Sequence, residues 1–322
     1  MSKVLVLGAT GGIGGEVAQQ LAAAGWDVLA LTRDVDKARR RNPGLTWLKG
    51  DALDRQQVLA AARGCEVIVH AVNPPGYRNW AGLVLPMIDN TIAAAIAEGA
   101  TILLPGTVYN FGPDAFALPH EDAPQHPQTR KGAIRVQLEQ RLLDASRQGA
   151  RVLIVRAGDF FGARASNNWF SMGLIKPGKP VAKVSYPGAR GVLHQWAYLP
   201  DVARTMLELL ERRATLEAFA RFHMEGFVDA DGTQMSEAIQ RVVLRRTGQQ
   251  PRVGRFPWWL LKVAAPFVVT FREMQEMRYL WRTPLRMGNE RLVAVLGREP
   301  HTPLDQAVEA TLDGLGCLSE PA

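Results

Sequence analysis

Over its first half the chain alternates short apolar runs with longer segments whose apolar residues recur at helical spacing. Residues 4–7, Val-Leu-Val-Leu, are too few for a helix and run straight into glycine, the pattern of a strand buried on both faces. Ile13, Val17, Leu21 and Ala24 then follow a helical period until Gly25 stops it. Strand-like runs return at residues 28–31, 46–48, 67–69, 101–104 and 151–155. Between them lie a basic segment ending before Pro43, a segment marked by Val58, Leu59 and Ala62, and helical stretches over 81–98 and 132–147. Such alternation predicts an α/β protein with a Rossmann-type, doubly wound parallel sheet and helices on both faces. Ligands of these sheets bind outside the carboxyl ends of the strands, so residues just after strands are the functional candidates.

Past residue 155 the pattern loosens. Pro and Gly punctuate 176–190, and a Trp- and Met-rich stretch follows at 256–281. The expected division is a nucleotide-binding domain over 1–160, to which later segments can return, and a smaller C-terminal substrate lobe over 161–322. Residues 256–271 are the most apolar late stretch, but Lys262 and Pro266 interrupt them. They fall short of the roughly 20 residues a membrane-spanning helix needs. The stretch reads as a core helix or an interface, with a membrane-surface anchor as the alternative, and stable membrane insertion is not expected.

Composition changes this picture little. The 322 residues are 47% hydrophobic and 21% charged, as in ordinary globular chains. Two distant cysteines, Cys65 and Cys317, offer neither a disulfide framework nor metal-ligand spacing. With no export signal at the amino terminus, a cytoplasmic location is expected, and no metal site. The net charge of +7 is scattered. Its one cluster, Arg39-Arg40-Arg41, falls at the end of a helix, where the dipole favours cations. The basic surface therefore points to small anionic ligands and not to nucleic acid.

The most informative segment is Gly8-Ala9-Thr10-Gly11-Gly12-Ile13-Gly14, between the first strand and the first helix. Glycine there permits a tight turn, close backbone approach to a pyrophosphate and close helix–strand packing. The helix start adds N–H donors and a positive dipole end. At the end of the second strand stand Thr32-Arg33, where NAD binders usually carry an acid for the ribose hydroxyls. Arginine can pair with a 2′-phosphate, so NADP is favoured over NAD.

The Gly-x-x-Gly-x-x-Gly spacing resembles the extended or atypical short-chain dehydrogenase/reductase superfamily, the NAD-dependent epimerase/dehydratase-like enzymes. That resemblance implies that Asp51, followed by Ala52, meets the adenine amine, and that the segment of Ala71 and Asn73 flanks the ribose and nicotinamide. The family's Ser or Thr before a Tyr-Gly pair matches Thr107, placed by Phe111-Gly112. Its Tyr-x-x-x-Lys motif falls on Lys131 and Arg135, with Glu139 following. The frame is kept, but the tyrosine that moves the proton is absent. Arg135 can still hold the nicotinamide ribose, although it cannot relay a proton. Lys131 could replace the tyrosine if burial and the neighbouring Arg135 charge lowered its pKa. Tyr109 and Asp159 are the other candidates for the acid. Asp159 sits in a stretch similar to the family's segment beside the nicotinamide.

Asp201, in the stretch from His194 to Ala203, resembles a residue that caps a helix and anchors the substrate lobe. His194 and Tyr198 are candidates to face the pocket; Trp169, Phe170, Met172 and Trp196 are candidates for pocket or core. The resemblance implies an NAD(P)-dependent oxidoreductase or epimerase acting on a small carbonyl or hydroxyl compound. The alternative is an NADP-binding sensor or interaction protein that has lost the reaction. Relatives often pair through a four-helix interface, which residues 81–98 and 132–147 would supply, so the resemblance also implies a homodimer.

Overall fold

The structure, a computed structural model, describes residues 2–74, 79–164 and 168–318. The first half runs β1 (Lys3–Leu7), α1 (Gly12–Ala23), β2 (Asp27–Thr32), α2 (Val35–Arg41), β3 (Thr46–Lys49), α3 (Arg55–Ala61), β4 (Val67–His70), α4 (Trp80–Glu98), β5 (Thr101–Gly106), α5 (Arg130–Ser146) and β6 (Arg151–Arg156). The second half adds β7 (Asp159–Phe161), β8 (Lys183–Tyr186), β9 (His194–Tyr198), α6 (Leu199–Glu211), β10 (Phe219–His223), β11 (Phe227–Asp229) and α7 (Gln234–Thr247). It ends with β12 (Arg252–Arg255), α8 (Trp258–Ala264), α9 (Val269–Glu276), α10 (Glu290–Leu296) and α11 (Leu304–Gly314).

Seven parallel strands form the main sheet in the order β10-β6-β5-β4-β1-β2-β3, the doubly wound architecture expected. The order reverses between β1 and β4, which opens a crevice above their carboxyl ends. One face of the sheet is covered by α1 and α6, whose Val17, Leu21, Val202 and Met206 are buried. The other is covered by α3, α4 and α5. By length and composition α4 is apolar enough to cross a membrane, yet it packs between α3 and α5 with Val84, Ile88, Ala94 and Ala95 buried.

The seventh strand was not legible as such. β10 joins the sheet beside β6 only after the chain has left it to build β7, β8 and β9, and α6 packs back onto α1. Helix α5 also begins earlier than its apolar spacing indicates. The Thr129 side chain accepts a hydrogen bond from Gly132 N at 3.0 Å, so the first turn starts at Arg130. Lys131 thereby becomes a first-turn residue.

A third core lies in the C-terminal lobe, built on the small sheets β11-β9-β7 and β12-β8 and on α7 and α11. Phe170 and Trp196 are buried there, so both are core. Tyr198 packs on Phe161 at 5.3 Å between ring centroids. Residues 256–271 form no core helix. They fold into the short hairpin α8–α9, with Leu261 inward and Trp259, Val263 and Phe267 exposed.

Candidate functional site

A cleft of about 630 Å³ runs along the carboxyl ends of the strands. It is lined by Gly8, Thr10, Gly11, Gly12 and Ile13 after β1, and by Arg33 after β2. Asp51 and Ala52 line it after β3, and Ala71 and Asn73 after β4. Thr107 and Tyr109 follow β5, Asp159 follows β6, and Arg135 reaches in from α5. Gly14 lies beneath this surface.

The glycine turn fits a pyrophosphate. Gly8 has φ +96°, and a Cβ there would meet the Ala71 carbonyl oxygen at 2.5 Å. A Cβ on Gly14 would meet the Gly8 carbonyl oxygen at 2.4 Å, so α1 can approach the strand only with glycine. The Gly11 amide closes the turn onto the Gly8 carbonyl at 2.9 Å. No side chain caps α1 and no acid stands in its first turn, which leaves the helix start open to an anion.

At the adenosine end the charge pattern is richer than Arg33 alone. Lys37 and Arg41, one and two turns along α2, also line the cleft. Among the described residues none of these three cations is in a salt bridge. The nearby acid, Asp34, is occupied as the cap of α2 and accepts from Lys37 N at 3.0 Å. Sequence reasoning read Arg41 only as a solvated helix end. The signal available was its spacing of four from Lys37, one turn along the same helix, just after Arg33.

The end of the cleft beyond β5 is held by a buried polar chain. The Thr107 hydroxyl donates to Asn110 Oδ1 at 3.3 Å and accepts from Tyr109 N at 3.4 Å. Asn110 Nδ2 donates to Gln125 at 3.1 Å, and Gln125 Nε2 donates to Glu139 at 3.2 Å. Glu139 binds both Nε and Nη2 of fully buried Arg156, at the end of β6. Arg156 Nη1 donates to His223 Nε2 at 2.9 Å, and His223 Nδ1 donates to the Pro119 carbonyl at 3.1 Å. Burial, reinforced by the Arg156 charge, lowers the His223 pKa to about 3, so its ring is neutral. Glu139 thus acts on Thr107 through the chain, a role its helical spacing could not reveal.

The two cations of α5 part company. Arg135 Nη2 donates to Asn73 Oδ1 at 3.3 Å, and its guanidinium lies 5.2 Å from the Trp80 ring centroid. Beneath it His70, buried and bonded to Thr91 at 2.7 Å, is depressed to about 3 by burial and then by the Arg135 charge. Lys131 Nζ instead bonds Glu273 Oε2 at 2.5 Å, Glu276 Oε2 at 2.8 Å and the Glu273 carbonyl at 3.2 Å. It is buried against α9 and is not among the residues lining the cleft, so the expected pairing of Lys131 with Arg135 beside the cofactor is not the geometry found.

Asp159 has a partner that spacing did not indicate. His194 Nε2 stands 2.9 Å from its Oδ2, while His194 Nδ1 faces the Leu280 carbonyl at 3.3 Å. The imidazole stacks on Trp281 at 3.8 Å. The imidazole and the Asp159 carboxyl thus form a hydrogen-bonded pair beside the cleft. Asp201 caps no helix: its oxygens accept from Thr302 N at 2.8 Å and Thr302 Oγ1 at 2.7 Å, tying α6 to the carboxyl-terminal segment.

Residues 4–222 match the model of the NAD dependent epimerase/dehydratase family, and the chain belongs to that family. A 3-diazoavenalumate denitrifying reductase from a Streptomyces species is 33% identical over 134 residues, covering 38% of this chain. The match spans 43% of that relative, less than half its length. The fold is similar to that of WbmH from Bordetella bronchiseptica, solved in complex with NAD+, with a TM-score of 0.70, 16% identity and 98% of each chain covered. It is also similar to UDP-glucose 4-epimerase from Thermotoga maritima, solved with UDP-glucose, with a TM-score of 0.71, 16% identity, and 97% and 98% of the two chains covered. At these identities the likeness is one of fold. The sheet is the Rossmann-type fold of that family, as its glycine turn indicated.

Proposed function

We propose that this chain is a cytoplasmic NADP(H)-dependent oxidoreductase that reduces a small carbonyl compound held between Thr107, Tyr109 and Asp159. The observation that carries this reading is the set of three cations, Arg33, Lys37 and Arg41, lining one end of the cleft, where the acid beside them, Asp34, is hydrogen-bonded as the cap of α2. A 2′-phosphate complements that charge, whereas a bare ribose would leave it unused.

The cofactor would lie along Gly8, Thr10, Gly11, Gly12, Ile13 and Gly14, with Asp51 and Ala52 at the adenine. Ala71, Asn73 and Arg135 would hold the nicotinamide ribose. When bound, the nicotinamide supplies a hydride to the carbonyl carbon. Thr107, fixed by Asn110 and the chain behind it, orients the carbonyl oxygen together with Tyr109. Asp159, hydrogen-bonded to His194, would pass the proton the oxygen needs. Lys131 serves as a clamp between α5 and the substrate lobe. The reductase name of the Streptomyces relative favours net reduction over epimerisation. A homodimer through α4 and α5 accompanies this reading.

Titration with NADPH and NADH tests the cofactor. Wild type should prefer NADPH, and Arg33→Asp should lose roughly tenfold or more of that preference through removal of a charge-assisted contact; a wild-type preference for NADH overturns the reading. A screen of carbonyl classes by NADPH oxidation tests the reaction. Asp159→Asn should lower kcat by about 100-fold, the lower range for a missing general acid. Loss in Tyr109→Phe with Asp159→Asn active would move the proton to the phenol. NADPH binding without oxidation by any carbonyl class would favour the sensor role.

A further inference from the structure

The hairpin α8–α9 carries the largest exposed apolar side chains of the described residues. Trp259 is 69% exposed, Val263 66% and Phe267 88%, with Leu260, Val268 and Val269 beside them. Trp259 and Val263 are one turn apart on α8, and Phe267 sits at the tip between the helices. The tip is a closed turn: the amides of Phe267 and Val268 both donate to the Ala264 carbonyl at 3.0 Å. The base is anchored as well. Leu261 and Met274 are buried, Trp258 Nε1 donates to the Pro187 carbonyl at 2.8 Å, and Gln275 Nε2 donates to the Trp258 carbonyl at 3.1 Å. A firmly held crest of this kind belongs against something apolar.

Its rim decides what. Lys262 and Arg272 are exposed on the two helices themselves, and Arg252 and Arg255 on β12, the strand that leads into α8. The two acids of α9, Glu273 and Glu276, are both engaged by Lys131, and Glu273 also lies 3.7 Å from Arg272, whose side chain stays more than half exposed. Two copies meeting face to face about a twofold would set these cations against their own kind. An apolar crest with Trp and Phe inside a cationic rim matches the boundary between acyl chains and anionic headgroups. The hairpin lies outside residues 4–222, the part shared with the family. We propose that the α8–α9 hairpin docks this protein peripherally on an anionic phospholipid surface, with Phe267, Trp259 and Val263 among the headgroups and Arg255, Lys262 and Arg272 on lipid phosphates. Trp258 at its base packs on Trp169 of the cleft, 5.5 Å between centroids, so the docked face and the cleft share a wall.

The full chain is sedimented with vesicles of phosphatidylcholine alone and with vesicles containing phosphatidylglycerol, at low and high salt. Binding should be at least on the order of tenfold stronger to the anionic vesicles and should fall with salt. Phe267→Ser with Trp259→Ser should abolish it while NADPH binding is unchanged. Lys262→Glu, which leaves the crest intact, should weaken it roughly fivefold or more. Equal binding to both vesicles, no binding to either, or insensitivity to these substitutions overturns the proposal. So does a dimer in sedimentation equilibrium that Phe267→Ser converts to monomer, since the crest would then be a self-interface.

Discussion

The two ends of the cleft are built in different ways. The adenosine end draws Gly8, Thr10, Gly11, Arg33, Lys37 and Arg41 from the first stretch of chain and works through backbone amides and exposed cations. The other end draws Thr107 and Tyr109, Arg135 and Asp159 from three separate segments, with Thr107 and Asp159 fixed by the buried Asn110 and His194, and Arg135 by Asn73. A site made of local turns can be read from residue order, because the turn itself imposes the geometry. One made of distant segments depends on partners such as His194, Glu139 and Glu273, which no spacing relates to the residues they hold.

That contrast accounts for what was legible. Six of the seven strands of the main sheet, the glycine turn and the positions after each strand followed from apolar runs and glycine alone. β10 did not, because its sheet partner β6 lies across the whole excursion that builds β7, β8 and β9. Nor did the fate of Lys131: helical spacing put it one turn from Arg135, but the Thr129 cap and the carboxylates of α9 decided where its ammonium went. Asp201 was legible as an anchor but not as a partner of Thr302, a residue about one hundred positions away.

The largest expected effect comes from the buried histidines, His70 at the cofactor side and His223 behind Thr107. Both have folded pKa values near 3, against about 6.5 for unperturbed histidine. The unfolded chain therefore binds protons that the folded chain refuses. The associated stability is full above about pH 6.5 and is lost as pH falls toward 3. Each histidine should contribute about 1.4 kcal/mol per pH unit in that window, so two pH units remove about 5 kcal/mol in all. Urea melts at pH 6.5, 5.5 and 4.5 measure this. His70→Gln and His223→Gln should each flatten the slope by half, and a slope unchanged by both would remove them as its source.

Next in size is Lys131→Met. Removing the buried cation leaves Glu273 and Glu276 with only the more exposed Arg130 and Arg272, 4.0 and 3.7 Å from Glu273, as counter-charge, a loss of about 3 kcal/mol. As a clamp, Lys131 should affect the melting temperature while kcat measured well below it stays near wild type, and Lys131→Arg should restore most of the stability. A 100-fold fall in kcat with an unchanged melt would instead make Lys131 the proton donor and bring it into one function with Arg135.

Arg41→Ala should have the smallest effect and separates the two ends of the cleft most cleanly. Arg39, Arg40 and Arg41 form one run at the end of α2, where all three favour the helix dipole, yet only Arg41 lines the cleft. If the run serves the helix alone, alanine at Arg40 and at Arg41 should cost the same few tenths of a kcal/mol in stability and leave cofactor affinity alone. If Arg41 completes the charge set with Arg33 and Lys37, Arg41→Ala should weaken NADPH by roughly fivefold, as expected for one partly solvated contact to a phosphate. NADH affinity should not change, because its ribose carries no charge there. Isothermal titration of both variants with both cofactors gives four numbers, and only the pairing of Arg41→Ala with NADPH should depart from wild type. Equal losses for both cofactors would place Arg41 on the shared pyrophosphate and leave the cofactor preference to Arg33 and Lys37.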